Sequence, residues 1–160
     1  MSEMLQGLLE GKDVRVAIIV SRFNEVVTSR LLAGAEDCLE RHGCPDKNRT
    51  VVRVPGSWEL PLAANRLAAT GRFDAIIALG ALVRGETPHF DFLAAQVARG
   101  MAEVGMSSGI PAIFGVLTTD TVEQALDRAG AKTGNKGWDA AMSALEMVNL
   151  FRGLDRAKTK

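Results

Sequence analysis

The sequence has no surplus of charge. Its 19 lysines and arginines meet 19 aspartates and glutamates, for a formal net charge of zero. That balance excludes the basic footprint expected of a nucleic-acid binder and offers little electrostatic resistance to self-association. Cysteine is scarce as well. Cys38 and Cys44 fit neither a CxxC redox pair nor a zinc site, so two buried, inert thiols in a cytoplasmic protein are expected. Long apolar runs are missing: the longest is about nine residues, against roughly twenty for a membrane-crossing helix. The opening MSEMLQGLLEGK carries acids and only a short apolar stretch, which does not match a signal peptide.

What is present is a globular composition. The chain has 160 residues, 47% of them apolar and 24% charged, which suits one domain with a substantial core. Apolar, β-branched runs recur between helical patterns. VRVAIIV (14–20), TVVRV (50–54), DAIIALGALV (74–83) and PAIFGV (111–116) read as strands buried on both faces. Between them, residues 26–42 place Leu31, Leu32, Ala35 and Leu39 on one helical face, and residues 58–70 do the same with Leu60, Ala64 and Leu67. Thr87 and Pro88 supply an N-cap and a first-turn proline for a third helix with Leu93, Val97, Met101 and Val104 on one stripe. A fourth begins at Asp120, where Asp120 and Glu123 have capping-box spacing. The fifth, over 137–151, turns Trp138, Met142, Leu145 and Val148 inward. This alternation predicts right-handed βαβ units: a small α/β sandwich with helices on both faces of a four-stranded parallel sheet. Residues 1–13 are left over for contact with a neighbouring subunit.

In such sheets ligands bind beyond the carboxyl ends of the strands. Four junctions therefore matter: SRFNE (21–25), PGSWE (55–59), VRGETPH (83–89) and FGVLTTD (114–120). Phe23, Trp58 and Phe114 are aromatics placed to converge there and grip a flat heterocycle, although one loop aromatic alone reads as a cap on the sheet. Gly85-Glu86-Thr87-Pro88 opens a helix whose N-terminal N–H groups and dipole favour an anion. It is not a Walker-type loop, and no GxGxxG occurs, so nothing supports a nucleotide cofactor. His89 has the ordinary pKa range for proton transfer near neutrality, while His42 stands at a helix end where a dipole role suffices. Arg128, Lys132 and Lys136 read as routine helix-end and loop charges. Residues alone thus reach a site for a flat polar ring and a small anion, with one acid/base group. They do not name the reaction.

VSRFNEVVTSRLLAGAEDCLERHG, VPGSWELPLAA, GALVRGETPHFDF, GVLTTDTVEQALDRAG and GNKGWDAAMSALEMVNLFR together resemble lumazine synthase, in order, from Val14 to Arg152. The resemblance implies a flavodoxin-like three-layer sandwich. It implies the condensation of 5-amino-6-(D-ribitylamino)uracil with 3,4-dihydroxy-2-butanone 4-phosphate to 6,7-dimethyl-8-ribityllumazine. By the same resemblance Phe23 stacks on the uracil; Ser57, Trp58 and Glu59 hold the ribityl chain and ring edge; and Ala81, Leu82 and Val83 offer strand-end backbone. Glu86, Thr87 and Arg128 form the phosphate cradle, with Lys136 a second contact. His89 resembles the proton carrier, and Phe114 closes the site from a neighbouring chain. Trp58 departs from the phenylalanine of many members, which leaves the ligand class unchanged. Arg84 has no place in this scheme beyond a structural or interface ion pair.

No metal or redox cofactor is required, because imine formation, phosphate elimination and ring closure need only proton transfer and positioning. The implied partners are small-molecule substrates and copies of the same chain. Pentamers share their sites between subunits, and the compact RAGAKTGNKGW connection favours a 60-subunit icosahedral shell. Two alternatives stay open: a flavodoxin-like electron carrier, against which SRFNEV replaces a hydroxyl-rich loop, and a catalytically silent lumazine- or flavin-binding shell protein.

Overall fold

The computed structural model describes residues 1–86, 88–132 and 134–159. Four strands, β1 (Val16–Ser21), β2 (Arg49–Val54), β3 (Ala75–Val83) and β4 (Ala112–Thr119), form one parallel sheet in the order β2-β1-β3-β4. A helix follows each strand, and a fifth closes the chain: α1 (Glu25–Arg41), α2 (Leu60–Ala69), α3 (His89–Ser108), α4 (Val122–Arg128) and α5 (Lys136–Lys158). This is the expected α/β flavodoxin-like sandwich.

The period of two along each central strand builds the layers. Val16, Ile18 and Val20 of β1, with Ala75, Ile77 and Leu79 of β3, face α1, α4 and α5. Ala17 and Ile19, with Ile76, Ala78 and Leu82, face α2 and α3. Both strands are therefore apolar except for Ser21 at the end of β1, and their isoleucines are fully buried, each contributing about 1.5–3 kcal/mol. The helical stripes fall where periodicity puts them: Leu31, Leu32, Ala35 and Leu39 in α1, and Val97, Met101 and Val104 in α3, are buried.

Several boundaries differ from expectation, each for a tertiary reason. β2 is not buried on both faces, since it is an edge strand with Val51 and Arg53 exposed. β4 runs on to Thr119 because its pairing with β3 continues to Val83. α2 is entered through a 3-10 turn at Ser57–Glu59, and α5 extends to Lys158. Pro88 precedes α3 instead of opening it, and Thr87, its expected cap, lies outside the described residues. The capping box of α4 is Thr121 with Gln124, one residue beyond the expected Asp120 and Glu123. Thr121 Oγ1 accepts from the Gln124 N–H at 3.1 Å, and Gln124 Oε1 accepts from the Asp120 and Thr121 N–H groups at 2.9 and 3.4 Å. The Asp120 carboxylate is drawn off by Arg84.

Among the described residues no helix is long and apolar enough to cross a membrane. Residues 1–10 form no regular element. They run beside α5, where Asn149 Nδ2 donates to the Glu10 carbonyl at 2.9 Å and Arg152 Nη2 to the Asp13 carbonyl at 2.9 Å. A Cβ on Gly7 would meet the Glu146 carbonyl oxygen at 1.9 Å, so that contact admits only glycine.

Candidate functional site

The strand order reverses between β1 and β3, and a crevice opens beyond their carboxyl ends as this topology requires. It is a cleft of about 510 Å³, lined by segments that follow three successive strands and by the first turns of α3.

The loop after β1 is anchored on both sides. The Arg22 and Phe23 N–H groups donate to the Val54 and Pro55 carbonyls at 2.8 and 3.1 Å, carrying the parallel ladder past the end of the sheet. Asn24 then takes a left-handed conformation (φ 61°), a region that asparagine tolerates better than most residues. Its Nδ2 reaches across to donate to the Ala81 carbonyl at 2.8 Å, which fastens the loop to β3. On this fixed backbone the Phe23 ring is left 70% exposed.

The loop after β2 folds on itself. Glu59 Oε2 accepts from the Gly56 N–H at 3.0 Å, so the carboxylate braces the turn it also lines. Ser57 is buried directly over β3, where a Cβ on Gly80 would approach its hydroxyl to 2.6 Å. Gly80 therefore makes room for Ser57. Trp58, next to it, points outward and is 62% exposed. Two large aromatics thus stand in solvent at one cleft, a costly arrangement for an isolated chain and a useful one for gripping a flat ring.

The loop after β3 completes the cleft. Ala81 and Leu82 are buried and Val83 half-buried; Gly85 lines the opening, and a Cβ there would meet nothing within 4 Å. His89 is the first residue of α3, exposed and on the cleft wall. The residue before it, Pro88, has no side-chain acceptor for the first-turn N–H groups. That helix end keeps its partial positive charge facing outward.

Phe23, Ser57, Trp58, Glu59, Ala81, Leu82, Val83 and His89 are therefore brought together, as the sequence suggests. Others are not, within one chain. Phe114 pairs with Ala78 in the middle of β4 and does not reach the carboxyl end, so the three aromatics do not converge on one edge. It lines a separate groove of about 190 Å³ with Lys136, Asp139 and Ser143. Lys136 Nζ lies 3.5 Å from Asp139 there, held at the start of α5 by the Asn135 cap. Arg128 is exposed at the end of α4, its Nη1 donating to the Gln124 carbonyl at 3.2 Å. Glu86 is exposed beside the cleft without lining it, and Thr87 lies outside the described residues.

Asn24, Phe90 and Leu93 also line the cleft and were not singled out as site residues by sequence reasoning. Leu93 reads as core from its place on the α3 stripe, and both Leu93 and Phe90 do pack against the core. Asn24 had a signal, an asparagine directly before a helix start, but its reach to Ala81 spans 57 residues and is invisible locally.

A model of the 6,7-dimethyl-8-ribityllumazine synthase family matches residues 13–152, from just before β1 to the later turns of α5. With nearly the whole chain matched over a sheet and strand-end cleft of this form, the chain belongs to the lumazine synthase family, transferase-type enzymes of riboflavin biosynthesis.

Proposed function

We propose that the chain condenses 5-amino-6-(D-ribitylamino)uracil with 3,4-dihydroxy-2-butanone 4-phosphate to 6,7-dimethyl-8-ribityllumazine, releasing phosphate and water. The observation that carries this reading is the cleft itself. It sets two exposed aromatics, a braced carboxylate, strand-end backbone and a helix start bearing a histidine around one volume of about 510 Å³. Phe23 stacks on the uracil, Trp58 and Ser57 flank the ribityl chain with Glu59, and residues 81–83 meet the ring edge. The Ala81 carbonyl already accepts from Asn24, so its remaining lone pair is what a ligand would use.

The chemistry needs an amine to attack a ketone with loss of water. A proton is then removed from the carbon next to the imine as phosphate leaves, the resulting enol tautomerises to a ketone, and the second amine closes the ring on that carbonyl with loss of a second water. Each step moves protons, and His89 is the group on the cleft wall suited to carry them. The phosphate belongs at the start of α3 beside Glu86 and Thr87, where the helix dipole favours an anion. Arg128, Lys136 and Phe114 lie on other surfaces of the chain, so in this reading they complete the cleft of an adjacent copy. The site then forms only in an oligomer, a pentamer or the shell built from pentamers.

Incubating the purified protein with both substrates tests the reading. Lumazine and inorganic phosphate should appear in equal amounts, well above an enzyme-free control. A rate no higher than that control leaves a binding or shell protein instead.

A further inference from the structure

Arg84 stands just beyond β3 and lines none of the site described above, yet it gathers more partners than its neighbours. Its N–H donates to the Thr119 carbonyl at 2.8 Å, adding one rung past the paired strands. Its Nε donates to Asp120 Oδ1 at 2.9 Å, and its Nη1 lies 3.4 Å from Asp91 Oδ1. The guanidinium also covers the Phe90 ring, 4.5 Å from the ring centre. We propose that Arg84 is a positioning residue: it ties the first turn of α3 to the β4–α4 junction and so sets where His89 stands against the cleft. The inference rests on the proposed function, in which His89 moves the protons.

Phe90 and Asp91, the two residues after His89, are both held by this one side chain, and Phe90 shares the cleft wall with His89. The rotation and depth of the first turn are thereby fixed by a residue that does not itself line the cleft. Only a planar, forked cation can meet two carboxylates and cover a ring together; a lysine ammonium cannot. The other end of the tie is equally committed. Asp120 has capping-box spacing for α4 but gives its carboxylate to Arg84, and Thr121 caps the helix instead. Arg84 is about half exposed and both aspartates more so, so the effect of the pairs on overall stability is small and their effect on placement is what remains.

Arg84→Met, Arg84→Lys, Asp120→Asn and the Arg84→Met/Asp120→Asn double variant test this in the assembled protein. For Arg84→Met, kcat is expected to fall roughly 10- to 100-fold, the size of effect a slightly misplaced catalytic group produces. The KM for the ribitylaminouracil should stay within about twofold, because Phe23, Trp58 and Glu59 are held by other loops. Arg84→Lys should recover only part of kcat, and the double variant should be no slower than Arg84→Met, since both break one tie. Amide exchange at residues 92–95, whose N–H groups bond back to the first turn of α3, should quicken in Arg84→Met while that of β1 and β3 does not change. Unaltered exchange at 92–95 overturns the positioning role whatever the reaction is. Faster exchange with an unchanged kcat overturns the link to His89, and so does a fall in kcat that Arg84→Lys restores in full. A wild type without turnover strikes the proposed function, and exchange then decides the tie by itself.

Discussion

At the scale of single residues, His89 and Arg128 separate two demands of the proposed reaction. Replacing His89 with alanine removes a proton carrier from the cleft wall but no packing, since the side chain is exposed. Turnover should fall roughly 10- to 1000-fold with assembly intact, in line with general acid/base contributions; steady-state rates beside light scattering on the variant check both halves. Arg128→Ala should act on the ketone phosphate, weakening it by about 1.5–3 kcal/mol for a lost charged hydrogen bond. Affinity for the ribitylaminouracil should barely move. If inorganic phosphate protects wild type and variant equally against heat, Arg128 does not hold the phosphate. The two thiols meet the sequence expectation of burial. Both are free and buried, and burial, with the charges of Asp37 and Asp139, pushes the Cys38 thiol up to about 11. Neither should react with a thiol reagent near pH 8 until the chain is unfolded.

At the scale of elements, the start of α5 is a closely packed junction. Asn135 Oδ1 accepts from the Gly137 and Trp138 N–H groups at 2.8 and 3.2 Å, capping α5. Its Nδ2 donates to the Arg30 and Ala129 carbonyls at 2.9 and 3.1 Å, so one side chain joins α1, the end of α4 and α5. Helices α1 and α5 touch almost backbone to backbone: a Cβ on Gly137 would sit 1.9 Å from the Leu31 carbonyl oxygen, and one on Gly34 would strike the Asn135 side chain at 2.3 Å. Gly137→Ala should therefore destabilise by about 1–3 kcal/mol, the cost of overpacking against atoms that cannot move aside, despite alanine's better helix propensity. Chemical denaturation measures it, and a gain in stability would show that α1 and α5 can separate without loss. None of this is legible in GNKGW, where the asparagine reads as part of a polar loop and Gly137 only as the start of a helix.

At the scale of the whole molecule, charge and exposed apolar surface make separate predictions. Asp74 closes the end of the sheet opposite the cleft: Arg15 contacts its two oxygens at 3.1 and 3.3 Å, and Arg152, which also holds the Asp13 carbonyl, lies 3.4 Å away. Burial pushes the Asp74 carboxyl up, but the Arg15 hydrogen bonds and charge, with the charge of Arg152, outweigh it and hold the carboxyl below its usual range. A carboxyl depressed in the folded state stabilises above its unfolded value, near 4, and loses that contribution as pH falls through the lower folded one. Asp74→Asn should then cost about 1 kcal/mol at neutral pH, with the gap to wild type closing below pH ~4. Denaturation midpoints from pH 3 to 7 check this, and a constant gap rejects it. Assembly is the other prediction. Phe92, Leu62 and Met106 are exposed at 70%, 68% and 87%, along with Leu8 and the open edge of β4. A chain without net charge would not carry so much apolar surface as a monomer. Light scattering and electron microscopy should find pentamers or a 60-subunit shell; a monomer would remove the shared site, and a lone pentamer only the shell.

The sequence by itself determined the layers and the site's neighbourhood. Nine apolar and amphipathic segments alternate with periods of two and 3.6, and only a parallel sheet with helices on both faces buries them all. Because loops after parallel strands gather at one end, Phe23, Trp58 and His89 were readable as neighbours from the sequence, while residues 81–83 entered as contacts through the family resemblance. Tertiary structure decided whatever depended on partners far along the chain. Which strand became an edge, and so whether Val51 and Arg53 are buried, rests on strand order and not on composition. Where β4 ends depends on its register with β3, and that register moves Phe114 away from the cleft. Asp120 and Thr121 are both good caps in sequence; the choice between them was made by Arg84, 36 residues away, taking the carboxylate of one and leaving the hydroxyl of the other to the helix.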